Sequence, residues 1–242
     1  MVEDRKVFVM TKNLKKNSGF TMVELLAAIV VLGVMMMVAV PTVMEVLRDT
    51  RNSTYVDDAI RLVSTMEYRM NSDNMMPVPA RGGCLVANLT QIDNNTFGSA
   101  PYDGEYERSK SFVVARRWTR SEIDDADAEA LANGTVSKAK EYSYYVRLME
   151  QLPNNGGFRG VNLTEVDNLY AKNATEKYVV NASKDASVMF DLSLYVSDPA
   201  TYSETNLKSE LLNQTDGELD CSSIVIYASN RDYDDITSGE VS

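Results

Sequence analysis

Between Phe20 and Val40 the chain carries one long apolar run, and a carboxylate, Glu24, sits near its start. From Leu25 to Val40 no polar side chain interrupts it. At 1.5 Å rise per residue a helix of this length crosses about 30 Å of hydrocarbon. A lone charge at membrane depth costs about 3 kcal/mol even on lenient insertion scales, so Glu24 marks function rather than anchoring. Lys12, Lys15 and Lys16 precede the run. That bias keeps the N-terminus in the cytoplasm and sends the rest of the chain across.

Two simpler readings compete. A secretory signal needs a small-residue cleavage site after the run. Ala39-Val40-Pro41-Thr42-Val43 contains no Ala-x-Ala pattern, and Glu24 lies where a signal's apolar centre begins. A plain anchor, cytoplasmic at its N-terminus, accounts for everything except Glu24.

Helical periodicity continues beyond the run. Val43, Val46, Leu47, Thr50, Thr54, Ile60, Val63, Met66 and Met70 form an intermittent stripe at steps of three and four. Arg48, Asp49, Arg51, Asp57, Asp58 and Arg61 suit a solvated face. The reading is one helical spine over residues 20–72, membrane-spanning over 20–41 and amphipathic after it. Pro41 lacks an N–H and is expected to kink or open the spine, with Gly33 as a second soft point. Residues 1–19 are a leader, whose true start is Met10 if the basic segment alone is counted.

The chain carries net charge −11, and without its first 19 residues, which hold five basic and two acidic side chains, it would carry −14. So acidic a domain disfavours nucleic acid and anionic headgroups as partners. No histidine is present, which removes the commonest general base and the commonest transition-metal ligand. Cys84 and Cys221 both follow the apolar run. In an extracytoplasmic domain an even count fits one disulfide, and two separate buried thiols are the alternative.

Met75 to Gly83 is turn-rich and ends the spine, so residues 75–242 form the globular domain. Strands are expected at Ser111–Trp118, Lys140–Met149, Lys177–Asn181, Ser187–Val196 and Ser222–Ala228. A short helix is expected at Ser121–Leu131 with Ser121 as its cap. The fold class is α+β: a long helical spine packed on an antiparallel sheet.

Two acidic clusters, Asp124-Asp125-Asp127 with Glu129 and Asp232-Asp234-Asp235, lack a calcium loop's spacing and read as solvated acid. No metal or cofactor is expected. Eight Asn-x-Ser/Thr triplets begin at Asn52, Asn88, Asn94, Asn133, Asn162, Asn173, Asn181 and Asn213. They mark either glycosylation sites or Asn/Thr-rich turns, and the turns are favoured. The chain has no nucleophile elbow, phosphate-cradling loop or Cys/His site, so an enzyme is not expected.

The N-terminal residues resemble those of the type IV pilins and pseudopilins. Lys12-Asn13-Leu14-Lys15-Lys16-Asn17-Ser18-Gly19 is similar to their basic leader, and Phe20-Thr21-Met22-Val23-Glu24-Leu25-Leu26 to their core motif. Pro41 stands at the family's distance. The resemblance covers about residues 10–50. It implies cleavage between Gly19 and Phe20 by a prepilin peptidase, and methylation of the new Phe20 amine. It also implies extraction from the bilayer by an assembly platform with a cytoplasmic ATPase, into a filament of pilin subunits outside the membrane. Phe20, Glu24 and Pro41 would serve filament assembly, with Glu24 answering the Phe20 amine. In many pilins a disulfide closes a short C-terminal loop; here Cys84 and Cys221 would tie the domain's start to its final strand. The large domain and that span lean toward a minor or tip-associated subunit. The rivals are a pseudopilin of a secretion or DNA-uptake system and a monomeric bitopic anchor displaying a ligand-binding domain.

Overall fold

The computed structural model describes residues 20–72, 76–92, 100–102, 104–182, 192 and 204–227. The chain divides into two compact units with the break between Leu47 and Arg48. One helix, α1 (Met22–Ser72), crosses that break. It is helical through Pro41, so the expected local opening is absent. Proline removes a single hydrogen bond, and the neighbouring turns keep theirs. Thr42 also donates its hydroxyl to the Val38 carbonyl at 3.1 Å.

The second unit contains a six-stranded sheet built from β1 (Cys84–Asn88), β2 (Phe112–Arg117), β3 (Tyr142–Gln151), β4 (Phe158–Glu165), β5 (Val179–Ala182) and β6 (Ile224–Tyr227). The spatial order is β5-β4-β3-β2-β1-β6. Four neighbouring pairs are antiparallel, but β6 joins β1 in parallel, with Cys84 opposite Ile224. The sheet is therefore mixed, which corrects the antiparallel expectation. Parallel neighbours need a long crossover, and here the chain between β1 and β6 supplies it.

Both faces of the sheet are covered, as successive side chains of β1 show. Leu85 and Ala87 join a core with Tyr55, Val56, Ala59, Leu62, Val63 and Met66 of α1. Cys84 and Val86 face a second core with Leu207 and Leu211 of a later helix (Glu204–Gln214). Burial on both faces makes a strand apolar throughout, without the alternation that a one-sided sheet would imprint. For that reason β1 carries no alternating strand signal and was not expected; β4 was not expected either, and its Arg159, Gly160, Asn162 and Glu165 break the β-branched and aromatic enrichment that marks a strand. The buried face of α1 also differs from the expected stripe. Tyr55, Val56, Ala59 and Leu62 are buried with Val63 and Met66, while Val43 and Val46 are exposed.

Between β2 and β3 lies α2 (Arg120–Asn133). Its cap is Thr119 rather than Ser121: Glu122 N–H donates to Thr119 Oγ1 at 3.2 Å, and Thr119 N–H donates to Glu122 Oε2 at 2.7 Å. Gly134 ends the helix in the left-handed region. The Lys177–Asn181 expectation splits, because Ala174–Tyr178 is helical and only Val179–Ala182 is strand. The Ser187–Val196 expectation falls outside the described residues except for Leu192, which is buried in the second core.

Candidate functional site

The site begins where α1 begins. Phe20 and Thr21 precede the helix in non-helical conformation, and Thr21 stands at its cap. The first turns of a helix leave N–H groups without intrahelical partners. Here Glu24 N–H donates to Thr21 Oγ1 at 3.3 Å, and Thr21 N–H returns a bond to Glu24 Oε2 at 2.9 Å. The Thr21 hydroxyl also donates to Glu24 Oε2 at 2.9 Å. This reciprocal arrangement is a capping box, and it recurs at Thr119 and Glu122 of α2. Its pattern, Thr-x-x-Glu, was present in the sequence at both places and was not read there.

The consequence is chemical as well as structural. A carboxylate at a helix N-terminus faces the positive end of the helix dipole. Glu24 Oε2 is committed to Thr21, whereas Oε1 makes no hydrogen bond among the described residues. The acid is thus oriented, with one oxygen left to receive another donor.

Beyond this turn α1 presents apolar side chains on every side: Leu25, Leu26, Val31, Val34 and Met35, which together go round the helix, are all exposed. By length and composition the helix suffices to cross a membrane, and its most apolar window buries nothing within the protein. A helix apolar all round requires lipid or other helices about it. Of the residues singled out in the sequence, Phe20 and Glu24 fall within one turn and Pro41 lies farther along the same helix. Gly19 lies outside the described residues. In the second unit Cys84 and Cys221 form a disulfide, with Cα atoms 5.5 Å apart.

The remaining motifs disperse. Asp124 pairs with Arg120 at 3.7 Å and Asp127 accepts from Ser137, each on or beside α2. Among the described residues no group of three or more potential metal ligands gathers. The Asp232–Asp235 cluster lies outside them. The turn expectation for the Asn-x-Ser/Thr triplets holds only in part. Asn173 lies in a turn before a short helix, and the triplets at Asn133 and Asn213 run off helix ends into turns, whereas Asn88, Asn162 and Asn181 lie on strands and Asn52 lies within α1. Asn94 is not described.

An oriented acid followed by an apolar run long enough to cross a membrane sets this end of the chain apart. Comparison with known families agrees at this place: the prokaryotic N-terminal methylation motif matches residues 14–40. The chain thus carries the leader signature of type IV pilins and pseudopilins. No curated protein and no solved structure matches the chain. The motif and the apolar helix together fit a membrane-anchored pilin with its filament outside.

Proposed function

We propose that the chain is a structural subunit of a type IV pilus or related filament. In this reading prepilin peptidase cuts between Gly19 and Phe20, the Phe20 amine is methylated, and α1 carries the subunit from the bilayer into the filament core. The observation that supports it most is the disposition of Glu24. Thr21 holds Oε2 and leaves Oε1 open at the end of the helix where cleavage would create a cationic amine. Pairing that amine with Glu24, of the same or a neighbouring subunit, offsets the large cost of an isolated charge in an apolar core. Apolar burial along α1 supplies attraction without register, and the charge pair supplies register. The size of the domain and the sequence separation of 137 between its bonded cysteines favour a minor or tip-associated position.

The test is the N-terminal mass of the membrane-extracted chain, expressed with and without an active prepilin peptidase. A chain that begins at Phe20 and carries one added methyl group places the protein on the pilin pathway. An uncut chain in the presence of active peptidase favours the plain anchor and removes this reading.

A further inference from the structure

Neither the fold nor filament assembly accounts for the Asn-x-Ser/Thr triplets. Eight occur among 18 asparagines, against about three expected by chance at this Ser/Thr content. Such a triplet accepts an N-linked sugar only where the asparagine amide has room for one and the hydroxyl two residues on is reachable. Most of the described triplets fail that requirement. Asn52 lies inside α1 with its side-chain oxygen buried, and Thr54 gives its hydroxyl to the Thr50 carbonyl at 3.0 Å. Asn88 is buried, Thr164 is buried beyond Asn162, and Ala174 is buried within the Asn173 triplet. The Asn181 side chain accepts from Arg159. Thr215, the hydroxyl residue of the Asn213 triplet, is buried and donates to the Leu211 carbonyl at 2.9 Å.

Asn133-Gly134-Thr135 differs, because all three of its residues are exposed. Asn133 is the last residue of α2, a 14-residue helix on which Ala130 is the one buried side chain. Gly134 turns the chain away with φ 63°, and a Cβ placed there would meet nothing within 4 Å. Thr135 N–H donates to the Ala130 carbonyl at 2.9 Å, so backbone bonds hold the turn and leave its side chains uncommitted. Leu131 and Val136 flank the triplet in sequence and are 84% and 88% exposed. Two apolar side chains left in water beside one asparagine are surface that the C–H face of a sugar ring would cover.

We propose that Asn133 is a glycosylation site, its amide nitrogen carrying an oligosaccharide whose first rings lie over Leu131 and Val136. The donor is a sugar chain held on a lipid pyrophosphate. The Asn133 amide nitrogen bonds to the anomeric carbon of that chain, and the bond from this carbon to the pyrophosphate oxygen breaks. The lipid pyrophosphate leaves with the electron pair, and the amide gives up one proton. Thr135 supplies the hydroxyl that the transferase reads. The inference rests on the part of the reading above that puts the domain outside the membrane, and it holds whether or not the chain polymerises.

The test is glycopeptide mass spectrometry on the full chain purified from its own cells, with Asn133→Gln, Thr135→Ala and Thr135→Ser produced in the same cells. A sugar mass is expected on the peptide that holds Asn133, lost in Asn133→Gln and Thr135→Ala and kept in Thr135→Ser. Asn173→Gln and Asn213→Gln should also keep it. All three residues of the triplet are exposed, so these changes leave the domain folded. An unmodified Asn133 peptide overturns the proposal, as does a mass that survives Asn133→Gln or sits on the hydroxyl of Thr135 or Ser137. The N-terminus is read on the same sample. A chain that begins at Phe20 with Asn133 bare overturns this inference and leaves the filament reading standing, whereas a sugar on Asn133 of an uncut chain supports it and removes the filament reading.

Discussion

The Tyr55 hydroxyl donates to the Glu150 carboxylate at 2.5 Å, tying α1 to β3 through a buried acid. Glu150 is fully buried, and backbone N–H groups of Tyr102 and Gly104 reach it at 3.2 and 3.1 Å. The Tyr102 ring in turn lies under two guanidinium groups, with Arg51 at 4.5 Å and Arg159 at 4.9 Å from its centroid. A buried acid met by several donors is stable only while all of them are in place. Tyr55→Phe removes one donor and should lower unfolding free energy by about 1–2 kcal/mol. Glu150→Ala strands three donors and should lower it by about 3 kcal/mol or more. Urea unfolding in detergent, followed by the fluorescence of the single tryptophan, Trp118, reads both. Equal and small losses would show that the network holds nothing together.

Glu24 should separate insertion from assembly. Glu24→Ala and Glu24→Gln are expected to reach the membrane in normal amount and to be missing from sheared filaments. Thr21→Val keeps the carboxylate and loses only the hydroxyl of the cap, which is worth about 1 kcal/mol. It should still assemble, at reduced yield. Filament incorporation of Glu24→Gln at the unmodified level would refute charge pairing.

The disulfide closes a loop with a sequence separation of 137. In the chain-entropy account a loop of that size contributes on the order of 4–5 kcal/mol. Cys84→Ser with Cys221→Ser is therefore expected to melt well below the parent chain, and to release β6 from β1 first. Hydrogen exchange at Ile224 to Tyr227 would show that order.

Acid should weaken the domain in a predictable window. The hydrogen bond from Arg117, with Arg81 nearby, holds Glu141 below the usual carboxylate range, and bonds from Lys208 and the Ile224 N–H do the same for Glu204. A depressed folded-state value means that the unfolded chain binds the proton first. The stabilisation is then complete above the unfolded value of about 4.3 and disappears as pH falls through the lower folded values. Both acids are largely exposed, so screening keeps the effect modest. Melting temperature should fall on going from about pH 5 to pH 3, and Arg117→Gln should flatten that fall.

Gly160 should tolerate no side chain. A Cβ there would overlap the backbone carbonyl oxygen of Leu148, beside the irregularity in the β3–β4 pairing. Gly160→Ala is expected to cost about 2–4 kcal/mol. At Gly134 nothing crowds the position, and only its φ of 63° opposes a side chain. Gly134→Ala should cost about 1 kcal/mol, and comparison of the two melts checks the difference.

The parts legible in the sequence are those whose physics is local. An apolar run and a basic flank act within a few residues of one another, so the apolar helix and the acid near its start were read from consecutive side chains; the Thr-x-x-Glu cap that orients Glu24 is equally local but went unread. The end of α1 near Ser72 was legible for the same reason. The strands with enriched aromatic and β-branched content, β2 and β3, were also within reach.

Other features depend on partners distant along the chain. Whether Val43 or Tyr55 is buried depends on which part of α1 meets the sheet, and nothing within the helix decides that. The apolar character of β1 becomes a strand only because α1 covers one face and Glu204–Gln214 the other. Glu150 is an ordinary acid in sequence; it becomes a buried link only when Tyr55, Tyr102 and Gly104 converge on it. The sequence by itself determined an anchored helix with a placed charge. The tertiary structure alone decided the parallel β1–β6 pair, the burial of α1 and which Asn-x-Ser/Thr triplet stands exposed, because each arises from contacts that chain order does not encode.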